Sequence, residues 1–251
     1  MKRLKTLFCL LIVAIFATAA VSFAPASAAG EAETATPSRG FSYGEEMRGK
    51  SVVFYGDSIT ARYINPLNIE SDFRPHYTQL LANEFGFYFA DYAISGATFA
   101  ETTKNALVEM QNSQAILASA DYVSIMLGTN DYGFARELGT FAAAPSEKSV
   151  YGSIKLVLNR IFEINPTVKV MLITPVERYD ANYGMTKPNG KGYTLADVVK
   201  AVKTVGERYG VTVADVSGLV TDENRYSLLQ CDDLHLSSDG YAALADALKR
   251  A

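Results

Sequence analysis

Residues 51–60, SVVFYGDSIT, carry an apolar run that stops on a glycine, an acid and a serine. Val52 to Tyr55 fit the end of a buried strand, and Gly56-Asp57-Ser58 a tight turn. Such a turn is either an ordinary strand exit or an elbow that presents Ser58 at the mouth of a sheet.

Working outward, short apolar runs alternate with segments of helical period. SVVFY is followed by Tyr77/Leu80/Leu81/Phe85, FYFADYA by Leu107/Met110/Leu117, and YVSIML by Ile154/Val157/Leu158/Ile161. VKVMLIT then precedes Leu195/Val198/Val199/Val202, and VTVADV precedes Tyr241/Leu244/Leu248 on a helix that Ser237 can cap. Strict alternation of this kind predicts an α/β fold, with five parallel strands covered by helices on both faces in three α/β/α layers. Such sheets bind ligands at the carboxyl ends of their strands, where FYGDS ends. Two longer loops, 132–149 and 176–194, leave from that same edge and carry Tyr132, Tyr179, Tyr183 and Tyr193.

The first 28 residues read as a secretory signal peptide. Lys2, Arg3 and Lys5 form a basic start, Leu7 to Val21 an apolar stretch, and Ala26-Ser27-Ala28 a small-residue cleavage site. Cys9 lacks the small residues expected before a lipidated cysteine, so the expected location is secreted or extracytoplasmic, with no lasting membrane insertion. Removing Lys2, Arg3 and Lys5 with no acid takes the net charge from −4 to −7. That balance argues against nucleic acid as a partner. Cys231 is then the remaining cysteine, which excludes an intrachain disulfide. Residues 29–50 are rich in Gly, Ala, Ser, Thr and Glu without apolar period, and read as a linker or flexible arm; 51–251 form the domain.

Two motif matches fail on context. Gly44 to Ser51 fits the phosphate-cradling G-x-x-x-x-G-K-[ST], but here a linker precedes it and a strand follows, the reverse of what phosphate binding at a helix N-terminus needs. Gly40 to Gly44 fits G-x-S-x-G, yet no strand leads into it.

The informative residues stand at four strand exits: Ser58, Gly96 in AISGAT, Asn130 in LGTND, and Asp232 with His235 in CDDLHLSSDGY. Singly they read as turn, cap and surface residues. Together they meet at one sheet edge and are the residue types acyl transfer requires.

These four blocks resemble, in order, the signature blocks of the SGNH hydrolase superfamily, the GDSL-type esterases and lipases. The resemblance runs from about Ser51 to Leu248, with Leu236 where a proline often follows the histidine. It implies a flavodoxin-like SGNH hydrolase fold with Ser58 as nucleophile, His235 as base and Asp232 behind it. It also implies an oxyanion hole from the N–H groups of Ser58 and Gly96 and the amide of Asn130, and no metal or organic cofactor. The rivals have ordinary roles: His76 as a surface or capping residue at a helix start, Asp57 and Asp131 as loop anchors, and Cys231 as a buried structural thiol.

The expected activity is ester hydrolysis through an acyl-enzyme, on short acyl groups, acetyl foremost, carried by carbohydrate. Export, acidity and tyrosine-bearing loops favour a sugar, because aromatic faces pack on sugar rings. A lipase-like or lysophospholipase-like hydrolase, or a non-catalytic glycan-binding protein, are the other readings, and an acyltransferase would use the same residues.

Overall fold

The structure, a computed structural model, describes residues 38–61, 75–100, 104–180 and 183–251. They lie in one compact unit, Thr36–Ala251, and the expected signal peptide falls outside the described residues. The five strands are β1 (Ser51–Gly56), β2 (Tyr88–Asp91), β3 (Tyr122–Met126), β4 (Lys169–Ile173) and β5 (Thr212–Ala214). All pairings are parallel, in the order β2-β1-β3-β4-β5. This is the flavodoxin-like order, whose connections change direction between β1 and β3, the place where ligands settle in such sheets.

Alternate residues of each strand serve opposite layers. Val53, Tyr55, Val123, Ile125, Val170 and Leu172 face a cluster built with Leu117, Ile154, Leu158, Val198 and Val202. Val52, Phe54, Met126, Met171 and Ile173 face a second cluster with Leu81, Tyr241, Leu244 and Leu248. A strand buried on both faces has no polar side to show, so SVVFY and VKVMLI read as unbroken apolar runs. Each fully buried large side chain contributes about 1.5 to 3 kcal/mol.

The first layer holds α2 (Ala106–Asn112), α3 (Gln114–Ser119), α5 (Val150–Ile164) and α6 (Leu195–Tyr209); the second holds α1 (Tyr77–Phe85) and α8 (Ser238–Leu248). Between them in sequence come two short helices, α4 (Thr129–Gly133) and α7 (Arg225–Leu228). Ser237 caps α8, its side chain accepting from Gly240 N, and Thr194 with Asp197 forms a reciprocal capping box on α6. The segment Leu107 to Leu117, expected as one helical stretch, is two helices. Ser113 bonds back to the Glu109 carbonyl at 2.6 Å and meets the Tyr55 hydroxyl at 2.6 Å, which interrupts the ladder.

The expected arm over 29–50 needs correction. Phe41, Tyr43 and Met47 are buried in the second cluster, and Val170 N donates to the Arg39 carbonyl at 2.7 Å. Residues 39–50 are therefore part of the domain. Three apolar residues scattered without period left no signal in the sequence, because they plug gaps instead of lining a helix or strand face.

Candidate active site

Register sets the site. Gly56 of β1 pairs with Met126 of β3, so Ser58 and Asn130 leave the sheet two and four residues past a shared rung. Ser58 sits in a turn that Asp57 closes, its carboxylate accepting from Ile59 N at 2.9 Å and its carbonyl from Ala61 N at 2.8 Å. The turn folds back so tightly that a Cβ on Gly56 would lie 2.2 Å from Thr60 Oγ1, which is why the strand ends on glycine.

The last strand exit delivers the other groups. Residues 230–235 form a closed loop in which Gln230 N donates to the His235 carbonyl at 2.7 Å and Asp233 N to the Gln230 carbonyl at 3.0 Å. Inside it one Asp232 oxygen accepts from Leu234 N at 3.1 Å and His235 N at 3.0 Å, and the other meets His235 Nδ1 at 2.8 Å. His235 Nε2 lies 2.9 Å from Ser58 Oγ. A carboxylate only accepts, so Nδ1 carries the proton and Nε2 turns a lone pair toward the serine hydroxyl. Leu236 is fully buried, and its carbonyl accepts from Gln230 Nε2 at 2.9 Å, so the loop is held shut without a proline there.

The second and third exits converge on the same place. The chain after β2 runs on beside β1, with Tyr92 N on the Phe54 carbonyl at 2.9 Å and Ile94 N on the Gly56 carbonyl at 3.0 Å, bringing Gly96 next to the serine turn. Gly96 has φ +83°, and a Cβ on it would meet open space, so the backbone conformation is what requires glycine. Asn130 gives one amide hydrogen to the Ala97 carbonyl at 3.0 Å, which leaves its second. Among the described residues neither Ser58 N nor Gly96 N donates to a protein acceptor.

Asp131 ties this half together, its buried carboxylate accepting from Phe99 N at 2.8 Å and Ala100 N at 2.9 Å. Burial pushes its pKa up to about 6. Burial likewise raises Asp57 to about 7, with the nearby Asp131 charge adding to it and the Ile59 N–H and Arg178 opposing it. Asp57 is occupied by its own turn, and Asp131 by the segment after β2. Among the described residues no three His, Cys, Asp or Glu side chains gather as metal ligands would.

Arg178 escaped the sequence reading. It is buried, forms a two-pronged ion pair with Asp180 at 2.6 Å on each prong, and donates to the Thr129 carbonyl at 3.1 Å. It thereby clamps the loop after β4 onto the first residue of α4, next to Asn130. Nothing in PVERYD distinguishes such an arginine from a solvated one; only its burial does.

Three expectations are corrected here. His76 occupies the N-cap position of α1, in line with the capping alternative, but its side chain makes no capping bond and is buried, not on the surface, with Nε2 on the Ile59 carbonyl at 2.8 Å. Cys231 is exposed, not a buried structural thiol, because the chain turns outward between Gln230 and Asp232. The loop tyrosines are largely structural. Tyr132 is fully buried with its hydroxyl on the Lys187 carbonyl at 2.7 Å, and Tyr193 donates to the Arg136 carbonyl at 2.8 Å. Tyr183 packs edge-on to Tyr132, ring centres 5.4 Å apart.

Residues 54–243 match the sequence model of the GDSL-like Lipase/Acylhydrolase family. The chain belongs to that family. This GDSL protein is thus an SGNH hydrolase, a carboxylic ester hydrolase whose five-stranded parallel sheet is the family's fold. Solved structures share that fold. One is a protein from Lactobacillus plantarum, 24% identical, TM-score 0.66, covering 81% of this chain and 96% of its own. Another is a lipase/acylhydrolase from Enterococcus faecalis, 23% identical, TM-score 0.55, covering 80% of this chain and 94% of that one. A third is an acetyl xylan esterase from Geobacillus stearothermophilus, 22% identical, TM-score 0.55, covering 81% and 94%. A search of curated proteins finds no match to the sequence.

Proposed function

We propose that this GDSL hydrolase is exported and removes short acyl groups, acetyl foremost, from carbohydrate, with Ser58 as nucleophile. The observation that carries the chemistry is the unbroken chain Asp232–His235–Ser58, at 2.8 and 2.9 Å. As Ser58 Oγ attacks the ester carbonyl, its proton passes to His235 Nε2, and the Asp232 carboxylate stabilises the imidazolium that forms. The carbonyl oxygen, now negative, takes hydrogen bonds from Ser58 N, Gly96 N and the second amide hydrogen of Asn130, each lowering the barrier by about 3 to 4 kcal/mol. Collapse expels the alcohol, which leaves with the proton from His235. Water then gives a proton to His235 as it attacks the acyl-enzyme, and the carboxylic acid departs with Ser58 restored.

The sugar reading is supported by the leader-like N-terminus, the acidic balance and the likeness to an acetyl xylan esterase. The loop tyrosines, being structural, no longer add to it. The test is hydrolysis of acetyl, butyryl and octanoyl nitrophenyl esters beside acetate release from an acetylated oligosaccharide, in wild type and Ser58→Ala. Loss of about 10⁴-fold or more in kcat is expected for Ser58→Ala. Undiminished turnover there sinks the mechanism. Rates that climb with acyl length sink the acetyl preference and favour a lipase-like enzyme.

A further inference from the structure

Outside the triad, a cavity of about 380 Å³ lies against the loop that carries Asp232 and His235; Arg225, Tyr226, Gln230, Cys231 and Asp233 are among its walls. Three features give it a definite chemistry. First, Tyr226 is 78% exposed, although burying an aromatic ring is worth a few kilocalories per mole to any fold that can do it. Its ring is held, not loose: the Arg225 guanidinium stacks 4.4 Å from its centre and donates to its hydroxyl at 2.6 Å, while the same guanidinium stacks 4.8 Å from the Tyr179 ring. Second, Arg225 and Asp233 face each other at 3.9 Å, too far for a direct hydrogen bond, so donors and acceptors of both remain to be used. Third, Asp233 is both a wall of the cavity and the neighbour of Asp232 in the catalytic loop, and its carbonyl accepts from Tyr179 N at 2.8 Å, which braces that loop against the segment after β4.

An exposed, braced aromatic face beside an acid and a base is suited to a polyhydroxylated ring. The apolar face of a sugar packs on tyrosine, and vicinal hydroxyls donate to a carboxylate and accept from a guanidinium. An anion would gain little, because Asp233 already offsets Arg225, and the acidic chain would repel an anionic polymer. We infer that this cavity is a glycan subsite that holds a neutral sugar unit neighbouring the one whose ester is cleaved, with Tyr226 as the platform and Arg225 and Asp233 as the hydroxyl readers. This deepens the carbohydrate reading and rests on it.

The experiment separates the two. Binding of deacetylated neutral xylo-, manno- and cello-oligosaccharides to the Ser58→Ala protein is measured by calorimetry, alone and with Tyr226→Ala or Asp233→Asn added. Asparagine suits the left-handed backbone of position 233 (φ +57°), so that variant keeps the loop. Binding of at least one sugar series is expected, weakened about tenfold or more by Tyr226→Ala, the loss typical of a stacking aromatic. On an acetylated oligosaccharide of that series, Tyr226→Ala in the active protein raises KM with kcat little changed, as loss of uniform binding does. Absence of binding by every series at millimolar sugar, or binding that neither substitution weakens, overturns the subsite. Failure to release acetate from glycans sinks the carbohydrate reading instead.

Discussion

Two histidines reach the same turn after β1 and do different work. His235 Nε2 meets the Ser58 hydroxyl at 2.9 Å, with the Asp232 carboxylate behind its ring. His76 Nε2 meets the carbonyl of the next residue, Ile59, at 2.8 Å, with the Thr78 hydroxyl at 3.2 Å on Nδ1 and the Tyr241 ring centre 4.2 Å from its own. A carbonyl can only accept, so His76 spends its N–H there and becomes a strut. A hydroxyl can give its proton away, and a carboxylate behind the ring steadies the charge that results, so His235 can act as a base. The partner of each nitrogen, more than the imidazole, decides the role.

That contrast breaks most visibly on His235→Ala. Turnover of nitrophenyl acetate should fall by about 10⁴-fold or more, while the melting temperature barely moves. An active His235→Ala protein would end the assignment. On the acceptor side of the reaction, Asn130→Ala should cost about 10² to 10³ in kcat with KM little changed, because its spare amide hydrogen matters most when the oxygen turns negative. A loss confined to KM would place Asn130 in substrate binding.

His76→Ala sharpens the comparison from the other side. It leaves the buried Ile59 carbonyl without its partner and opens a hole against Tyr241, an expected loss of about 2 to 4 kcal/mol in urea unfolding. Its kcat, measured well below the melting temperature, should stay far above that of His235→Ala. The mildest test concerns the acid beside the serine. Between the ordinary value of 3.8 and about 7, unfolded Asp57 has lost its proton while folded Asp57 keeps it. Raising the pH through that window therefore favours the unfolded chain, and stability present at acid pH is lost as pH climbs through 7. Asp57→Asn keeps the acceptor for Ile59 N, and its melting temperature should fall less than wild type between pH 4 and 8. Equal slopes would mean that Asp57 is ionised throughout.

Much of this is legible in the sequence. Unbroken apolar runs such as VKVMLI show buried parallel strands because a strand covered on both faces has no reason to alternate. FYGDS, ISGAT, LGTND and DDLH stood at strand exits, and the topology rule brings strand exits to one edge. Illegible were features that depend on what packs from elsewhere. Phe41, Tyr43 and Met47 fill gaps in a core that other segments build. Arg178 looks like any loop arginine until Thr129 and Asp180 surround it. Tyr132 and Tyr193 carry the same side chain as Tyr226, yet two are inside and one is out.

The sequence by itself determined the alternation of elements, the parallel sheet, the caps such as Ser237, and which side chains could carry acyl transfer, since all of these depend on residue type and local spacing. Tertiary structure alone decided the bond that joins His235 to the serine, the burial of His76 against Ile59, which tyrosines are buried, and that Arg178 joins the loop after β4 to α4. Those outcomes depend on contacts between residues tens to hundreds of positions apart, such as Ser58 with His235, and no local pattern encodes which distant partner arrives.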